Sequence, residues 1–161
     1  MPNSMNKLVA KFNLLPKPLR RHVISAILGR KVPFVGTAGV AIEEINPQRV
    51  VTSLRNKHRV QNHIKTIHAA AATLLAETSS GFVVGMNLPD NKLPLMKSLS
   101  VKFKKLNKGD LRVTASLTQE QIKRMHDEPR GDVTVAIEAR DSAGQQTIQC
   151  KMVWAWIPKK D

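Results

Sequence analysis

The segment that most constrains the fold lies in the middle of the chain, where residues 62–81 read NHIKTIHAAAATLLAETSSG. Alanine and leucine are the strongest helix formers, so residues 67–79 predict a helix. Thr66 is its expected N-cap and Gly81 its expected end. This helix is apolar on nearly every side, which is typical of a helix buried in the protein interior. The rest of the chain must therefore supply a surface that covers it.

A single carboxylate interrupts this apolar run. Glu77 is the only Asp or Glu between Glu44 and Asp90. An ionised carboxylate in an apolar setting has a high free energy unless it has a partner or a chemical role. Burial also raises the pKa of such a group, which suits it to act as a base near neutral pH. Glu77 is therefore the first candidate for a catalytic residue, and the alternative is a solvated glutamate near the helix end.

Alternating apolar and polar residues on both sides of this helix predict β-strands. Before the helix, residues 36–45 and 48–55 are joined by an Asn-Pro turn dipeptide. After it come a short strand at 82–84 and four longer ones, around 99–103, 111–117, 133–138 and 148–156. A buried helix covered by one antiparallel sheet is an α+β arrangement, which is the predicted fold class.

Two further helical segments are predicted outside this unit. Residues 1–33 combine helical spacing of apolar side chains with prolines that suit a helix start, and they predict an N-terminal helical extension. The polar segment 118–130 predicts one helical turn with Thr118 as its cap. We expect residues 34–161 to form the main domain and the extension to dock on it, so that the chain is a single structural domain.

The charge of the chain predicts an anionic partner. There are 26 Lys and Arg residues against 12 Asp and Glu, which gives a formal charge of +14. Nucleic acid, a membrane surface, an acidic protein and a phosphorylated small molecule all fit that charge. Aromatic residues make up only 4% of the chain, and none is Tyr. This composition disfavours a protein that stacks single-stranded bases on aromatic rings.

The cysteine and histidine content disfavours two other kinds of site. Cys150 is the only cysteine, so an internal disulfide and a multi-cysteine zinc site are excluded, and we expect a protein of the reducing cytoplasm. His58, His63 and His68 recur every five residues, which places them on no common helical face and disfavours a metal site. We also expect no membrane span, because no apolar run reaches about 18 to 20 residues.

The stretch from Asn62 to Glu77 resembles the signature of a known enzyme family. Asn62 stands six residues before His68, and His68 stands nine residues before Glu77, which ends a Leu-Ala-Glu triplet. These spacings resemble those of the hot-dog-fold acyl-CoA thioesterases of the phenylacetate-pathway type, whose central helix opens with His-Gly-Gly. The resemblance covers residues 34–158 and implies an antiparallel sheet of five to six strands wrapped around a long central helix. The N-terminal helices resemble those of a related, uncharacterised thioesterase-like branch.

The resemblance also implies roles for individual residues. Glu77 matches the catalytic carboxylate, which attacks the thioester or activates water, and Asn62 matches a second catalytic residue that positions water or the carbonyl. Ala69 matches the first Gly after the His, whose backbone N–H polarises the thioester carbonyl. With Thr66 as the cap, Ala69 stands at about the third helical position, where backbone N–H groups are unpaired. The other expected substrate contacts are His63, Thr66, His68 and Ala70 at the helix opening. Lys102 and Lys104 are expected to attract phosphate groups, and the alternative for them is a solvated face of the sheet.

The implied function is a thioesterase that acts on acyl-CoA or an acyl carrier protein, with no cofactor besides the coenzyme A of the substrate. Nine residues of helix span about 13 Å, so His68 and Glu77 of one chain cannot meet. In hot-dog proteins two central helices lie side by side, so the resemblance implies a site between the chains of a homodimer or tetramer. Ala69-Ala70 replaces the Gly-Gly of the family, so a non-catalytic acyl-ligand-binding protein is the second hypothesis. A basic nucleic-acid-binding protein is the third, supported by charge alone.

Overall fold

The computed structural model describes residues 3–12 and 14–159, over which the chain forms five α-helices and six β-strands. The helices are α1 (Ser4–Phe12), α2 (Lys17–Lys31), α3 (Pro33–Ala38), α4 (Ala69–Asn87) and α5 (Gln119–Asp127). The strands are β1 (Ala41–Ile45), β2 (Arg49–Leu54), β3 (Lys92–Phe103), β4 (Leu111–Ser116), β5 (Gly131–Asp141) and β6 (Ile148–Pro158).

The six strands form one sheet in the order β1-β2-β4-β5-β6-β3. Every neighbouring pair is antiparallel, and β1 and β3 are the two edges of the sheet. The helix α4 packs against the inner face of this sheet, where its apolar side chains share buried clusters with those of the strands. A six-stranded antiparallel sheet around a long central helix confirms the predicted α+β class and the hot-dog architecture.

The central helix α4 is held in place by burial of its apolar surface. Leu75, Ala76, Val83 and Val84 are completely buried. Burying an aliphatic side chain of the size of leucine or valine contributes about 1.5 to 3 kcal/mol relative to leaving it exposed. The free energy from intrinsic helix propensity is small compared with that from burying several such side chains. Packing against the sheet therefore determines the position and extent of this helix.

Packing against the sheet also makes α4 longer than the sequence predicts. The helix continues through Gly81 to Asn87, and residues 82–84 are helical, so the predicted strand at 82–84 is wrong. A Cβ atom at Gly81 would lie 2.9 Å from the ring of Trp154 on β6. Glycine is therefore needed here for the close approach of helix and sheet, and it does not act as a helix terminator.

Two of the predicted strand boundaries are also wrong. Residues 33–38 form α3, so the first strand begins at Ala41 and not at 36. Gly39 ends α3 with a φ of 75°, in the left-handed region that favours glycine. On the other side of α4, β3 begins at Lys92, seven residues before the predicted start. Pro94 lies within this strand, and proline is tolerated there because β3 is an edge strand.

The N-terminal helices share the core of the sheet domain. Val9 of α1 and Leu28 of α2 are buried in one cluster with residues of α4 and the sheet. The Asn3 amide donates hydrogen bonds of 2.7 Å to the carbonyl oxygens of Gly85 and Leu88 at the end of α4. The helical region runs to Ala38, a few residues beyond the predicted extension of residues 1–33. Residues 1, 2, 13, 160 and 161 of the two predicted segments lie outside the described residues.

By length and composition alone, α4 is long and apolar enough to cross a membrane. The sequence predicts a shorter helix that ends at Gly81, and so it predicts no membrane span. About 56% of the helix is buried inside the fold, against the sheet, and a core helix of a soluble protein passes the same test. Its length is therefore accounted for by its place in the core.

The predicted helical turn after residue 118 is a nine-residue helix, α5, with Thr118 as its N-cap. Its other end is held by Lys92, which is 8% exposed and lies at the start of β3. The Lys92 ammonium donates hydrogen bonds of 2.8, 2.9 and 2.8 Å to the carbonyl oxygens of Met125, His126 and Glu128. A cation at a helix C-terminus is also favoured by the helix dipole.

Replacing Lys92 with Met should destabilise the protein, because the carbonyl oxygens of Met125 and His126 lose this donor. The Glu128 carbonyl also loses it but keeps the Trp156 indole N–H, which donates to it at 2.9 Å. A loss of about 1 to 3 kcal/mol is expected for such a group, which corresponds to a fall in Tm of roughly 2 to 12 °C for a chain of this length. Lys97→Met is the matched control, because Lys97 makes only an exposed ion pair, with Asp132, and should change Tm by less than about 3 °C. Equal Tm changes in the two variants would contradict this account.

Candidate active site

The loop that leads into α4 is a tight turn organised by Asn62. Its Oδ1 accepts hydrogen bonds of 3.1 Å from the backbone N–H groups of Ile64 and Thr66, and its Nδ2 donates to the Thr66 hydroxyl at 2.8 Å. Lys65, with a φ of 59°, is the one described non-glycine residue with a positive φ. An Asn that bonds to nearby backbone groups is a strong turn former, so Asn62 builds the approach to the helix.

The helix begins at Ala69, and its N-cap is His68 rather than the predicted Thr66. The His68 Nδ1 accepts a hydrogen bond of 3.0 Å from the Ala70 N–H. Ala69 is therefore the first helical residue, not the third. Among the described residues, no group accepts a hydrogen bond from its backbone N–H. This unpaired donor at the positive end of α4 can stabilise a developing oxyanion.

A cavity of about 350 Å³ lies beside this helix start. Four of the predicted site residues line it, namely Asn62, Thr66, Ala69 and Lys104. Ile67, Ala72 and Ile148 contribute apolar surface to the same cavity. A mainly apolar cavity with a few polar and cationic groups at one side suits a ligand with an apolar part and an anionic part.

The other predicted substrate-binding residues do not line this cavity. Lys102 lies on the face of β3 opposite to Val101 and Phe103, because side chains alternate along a strand. His63 is exposed in the turn, Ala70 is exposed on α4, and the His68 ring is used as the helix cap. The structure therefore assembles only part of the predicted set around one space.

Several cavity residues were missed by the sequence analysis. Phe103, Lys105 and Leu106 line the cavity beside Lys104, at the end of β3 and in the loop after it. Phe103 and Leu106 are 53% and 62% exposed, although both are large and apolar. The one available signal was the position of Leu106 in an otherwise polar loop, and a single exposed leucine is a weak signal because such residues are common on protein surfaces.

Glu77 lies on α4 outside this cavity. Its side chain is half-buried, and it forms no ion pair with any residue that the structure describes. Burial raises the pKa of the Glu77 carboxyl above its ordinary value of 4.5, opposed by a long hydrogen bond of 3.5 Å from the Thr78 hydroxyl. Eight residues of helix separate Glu77 from Ala69, a rise of about 12 Å. The two groups cannot act on one bond within a single chain.

The face of α4 that carries Glu77 is not covered by the sheet. Ala70 is exposed, and Thr73, Leu74 and Glu77 are half-exposed along one stripe of the helix. Beside this stripe, the edge strand β3 turns Leu99 and Phe103 to the same inner face, and they are 48% and 53% exposed. A long edge strand next to an exposed apolar surface is typical of a contact between protein chains.

The remaining nucleophiles and metal ligands offer no competing centre. Burial raises the pKa of the Cys150 thiol to about 11, so it is protonated at neutral pH and poorly suited to act as a nucleophile. Within residues 3–12 and 14–159, no group of three or more His, Cys, Asp or Glu side chains is placed to hold a metal ion. Glu77 and the start of α4 therefore remain the candidates for a catalytic role.

Comparison with known proteins identifies a family and a fold. A family model described as a domain of unknown function, DUF4442, matches residues 20–157. A comparison with the curated proteins found no significant match. The solved structures include PA5026 from Pseudomonas aeruginosa, a protein of unknown function described as a probable thioesterase. It is 23% identical, with a TM-score of 0.76 over 90% of this chain and 97% of that one.

Two further solved structures are similar at lower identity. The thioesterase HI1161 from Haemophilus influenzae is 14% identical, with a TM-score of 0.64 over 78% of this chain and 82% of that one. The thioesterase PA1618 from Pseudomonas aeruginosa, solved as a mutant, is 11% identical, with a TM-score of 0.66 over 78% of this chain and 86% of that one. At these identities the similarity establishes the hot-dog fold, as the sequence resemblance implied.

The raised pKa of Glu77 predicts a pH-dependent effect of Glu77→Gln on stability. Below pH 4.5 the carboxyl is protonated in both the folded and the unfolded state, so wild type and variant should melt together. As pH rises from 4.5 through the raised folded pKa, the unfolded state releases its proton first, and the wild type loses stability relative to the variant. Above that pKa the difference is constant, with the variant more stable.

Melting curves at pH 4 and pH 8, at one protein concentration, check this prediction. Glu120→Gln is the matched control, because Glu120 is exposed in the first turn of α5, where a carboxylate is favourable, and its replacement should not stabilise the protein at pH 8. A Glu77→Gln variant that is less stable than wild type at pH 8 would contradict the assignment of Glu77 as a desolvated, unpaired carboxylate.

Proposed function

The chain belongs to the DUF4442 family and has a hot-dog fold, and on that premise we propose that it is a thioesterase that hydrolyses acyl-CoA or an acyl-carrier-protein thioester. A single observation carries the proposal. The central helix presents an unpaired backbone N–H at Ala69 and, on its uncovered face, an unpaired, half-buried carboxylate at Glu77. These are the two groups that thioester hydrolysis requires, a donor for the oxyanion and a base or nucleophile.

The proposed site forms between two copies of the chain. Because Glu77 and Ala69 of one chain are about 12 Å apart along the helix, Glu77 of one chain would act with Ala69 of the other. Two α4 helices packed side by side and antiparallel would bring these groups together twice, by the two-fold symmetry of a homodimer. The exposed Leu99 and Phe103 on β3 supply apolar surface for such a contact. A tetramer would add contacts outside this site.

The proposed chemistry uses Glu77 in its ionised form. The carboxylate removes a proton from a water molecule, and the oxygen of that water attacks the thioester carbonyl carbon. The carbonyl oxygen becomes an oxyanion and accepts a hydrogen bond from the Ala69 N–H. Collapse of this intermediate breaks the carbon–sulfur bond, and the leaving thiolate takes the proton held by Glu77. Direct attack by the carboxylate is the alternative, with an anhydride that water then hydrolyses.

The residues around this centre would position the substrate. Asn62 and Thr66 hold the turn that precedes the helix start, and both residues line the cavity. Lys104 lies in the same cavity and is suited to a phosphate of coenzyme A or of a carrier-protein prosthetic group. His63 and Lys102 are exposed and lie outside the cavity, so a role for them in substrate binding would require a part of the substrate that extends beyond it.

A non-catalytic acyl-ligand-binding protein is the second candidate function. The observation in its favour is that Ala69 and Ala70 are both exposed at the helix start, so their methyl groups occupy space that glycine would leave open. Alanine keeps its N–H, and so the oxyanion donor is retained. The added methyl groups would reduce the room for the acyl sulfur, and this is the feature that could prevent turnover.

Glu77→Gln should lower turnover by about two orders of magnitude or more, the scale for loss of a positioned acid–base group. The amide keeps the shape of the side chain, so substrate binding should be retained. The measurement is steady-state hydrolysis over a panel of short, long and aromatic acyl-CoAs, with Glu120→Gln as the control. Full turnover in Glu77→Gln would end the catalytic assignment. A wild type without turnover, but with a Tm raised by acyl-CoA, would favour the binding protein.

Mixing two inactive variants tests whether the site is shared between chains. Ala69→Pro removes the N–H at the first helical position, where proline is well tolerated, and His68 already has the extended backbone that precedes proline. Its turnover should fall by about 10² to 10³, whereas Ala69→Gly keeps the N–H and should stay active. Ala69→Pro and Glu77→Gln chains produced together should regain about a quarter of wild-type activity, because half of the dimers hold one intact site. No recovery from verified mixed dimers would contradict a shared site.

A further inference from the structure

A second and larger cavity lies at the β1 edge of the sheet, against the N-terminal helices. Its volume is about 680 Å³, and its walls come from α2, α3, the start of β1 and the segment that follows β2. It shares no lining residue with the cavity at the start of α4. Its size is that of a typical pocket for a small molecule, within the usual range of about 300 to 1,000 Å³.

The walls of this cavity are strongly cationic. Its lining residues include five Arg or Lys side chains and no Asp or Glu; the five are Arg21, Arg30, Arg55, Lys57 and Arg59. Arg21 has partners, since it donates to the Ser53 hydroxyl at 3.2 Å and lies 3.6 Å from Glu43. The other four make no ion pair or side-chain hydrogen bond with any residue that the structure describes.

A neighbouring cavity on the other side of α2 provides an internal comparison. It is lined by Arg20 and Arg21 together with Glu43 and Glu44, so that cations and carboxylates balance there. Like charges gathered around one concave space repel one another, and a cleft lined by a single sign of charge concentrates ions of the opposite sign. Arg55 also lines a smaller cavity that contains Glu43, Asp110 and Asp141, so its charge is partly balanced. Arg30, Lys57 and Arg59 share no cavity wall with a carboxylate in these clefts, and they mark the larger cavity as an anion site.

The backbone around this cavity is built for close approach. A Cβ atom at Gly36 would lie 2.7 Å from the Gly29 carbonyl oxygen, so α2 and α3 can meet only through glycine. A Cβ atom at Gly39 would lie 1.8 Å from an Nη atom of Arg59. The Arg59 guanidinium thus rests on the Gly39 backbone, which already requires glycine because of its positive φ. The fold places this guanidinium in the wall of the cavity.

We propose that this cavity binds a small molecule that carries a diphosphate. Guanidinium groups bind phosphate oxygens through paired N–H donors, and cations from different chain segments can hold two phosphates at once. Arg30 comes from α2, Arg55 and Lys57 follow β2, and Arg59 lies in the 3-10 turn His58–Val60. The concave shape favours a small ligand over nucleic acid, which binds across extended basic surfaces. The N-terminal helices then form one wall of a ligand site.

Calorimetric titration of the full chain with ADP and with pyrophosphate tests the proposal. Both probes should bind the wild type at low salt and more weakly as salt increases. The double variant Arg55→Gln/Arg59→Gln should weaken binding at least tenfold. The double variant Arg30→Gln/Lys57→Gln should do the same, so either variant can test the proposal if the other does not fold. The matched control is Lys123→Gln/Arg130→Gln, which removes the same charge from exposed cations outside the cavity and should change affinity by less than twofold.

The two probes separate the possible sources of the diphosphate. Tighter binding of ADP than of pyrophosphate assigns the site to a nucleotide, and equal binding assigns it to the diphosphate group alone. The proposal is overturned if the wild type binds neither probe at millimolar concentration, or if the control variant loses as much affinity as the cavity variants. It is also overturned if duplex DNA binds more tightly than either probe and depends on the same four side chains. The titration involves no turnover and is independent of the proposed thioesterase activity.

Discussion

Burial of α4 against the sheet is the interaction on which the rest of this structure depends. Its side chains fill the inner face of the sheet, and Leu75 and Val83 are completely buried. The polar groups on this side of the helix are all paired internally. The Ser79 hydroxyl contacts that of Thr52 at 2.6 Å and bonds to the Leu75 carbonyl, and the Trp154 indole donates to Ser80 at 2.9 Å. Because the helix cannot shift without breaking these contacts, both of its ends have fixed positions.

The fixed helix positions two chemically useful groups on parts of the surface that the chain itself does not cover. Its start is held by the Asn62 turn and the His68 cap, which leaves the Ala69 N–H without a partner. Its uncovered stripe carries Glu77, whose desolvation raises the pKa of the carboxyl. Neither feature improves the stability of the isolated chain, since one leaves a donor unpaired and the other buries a carboxylate in part. Groups of this kind are candidates for a role in binding or catalysis.

The N-terminal helices extend this arrangement at the opposite edge of the sheet. They enter the common core through Val9, Ile24 and Leu28, so they are part of the fold rather than an appended arm. Their polar side meets the end of β2 and the segment that follows it, where cations gather without carboxylates. The net charge of +14 is thus not spread evenly. Part of it converges on this second cavity, and Lys104 and Lys105 lie at the cavity beside α4.

The sequence by itself determined the elements whose signals are local. Alternation predicted the strands around 111–117, 133–138 and 148–156, and the alanine-rich run around Glu77 predicted a buried helix, because side-chain period and apolar content are properties of a short segment. The spacing from Asn62 to Glu77 likewise resembled the family signature and implied the hot-dog fold that the structure has.

Only the tertiary structure decided where these elements end and what they enclose. Gly81 looked like a helix terminator, but it is the point where Trp154 approaches the helix, and no local pattern contains that contact. The N-cap is His68 and not Thr66, because Thr66 belongs to the turn held by Asn62, where its hydroxyl accepts a hydrogen bond from the Asn62 amide. Arg30 and Arg59 are distant in sequence and meet at one cavity through the packing of α2, α3 and β2. Such contacts depend on the path of the whole chain, and so they could be known only once the sheet and the helices had been assembled.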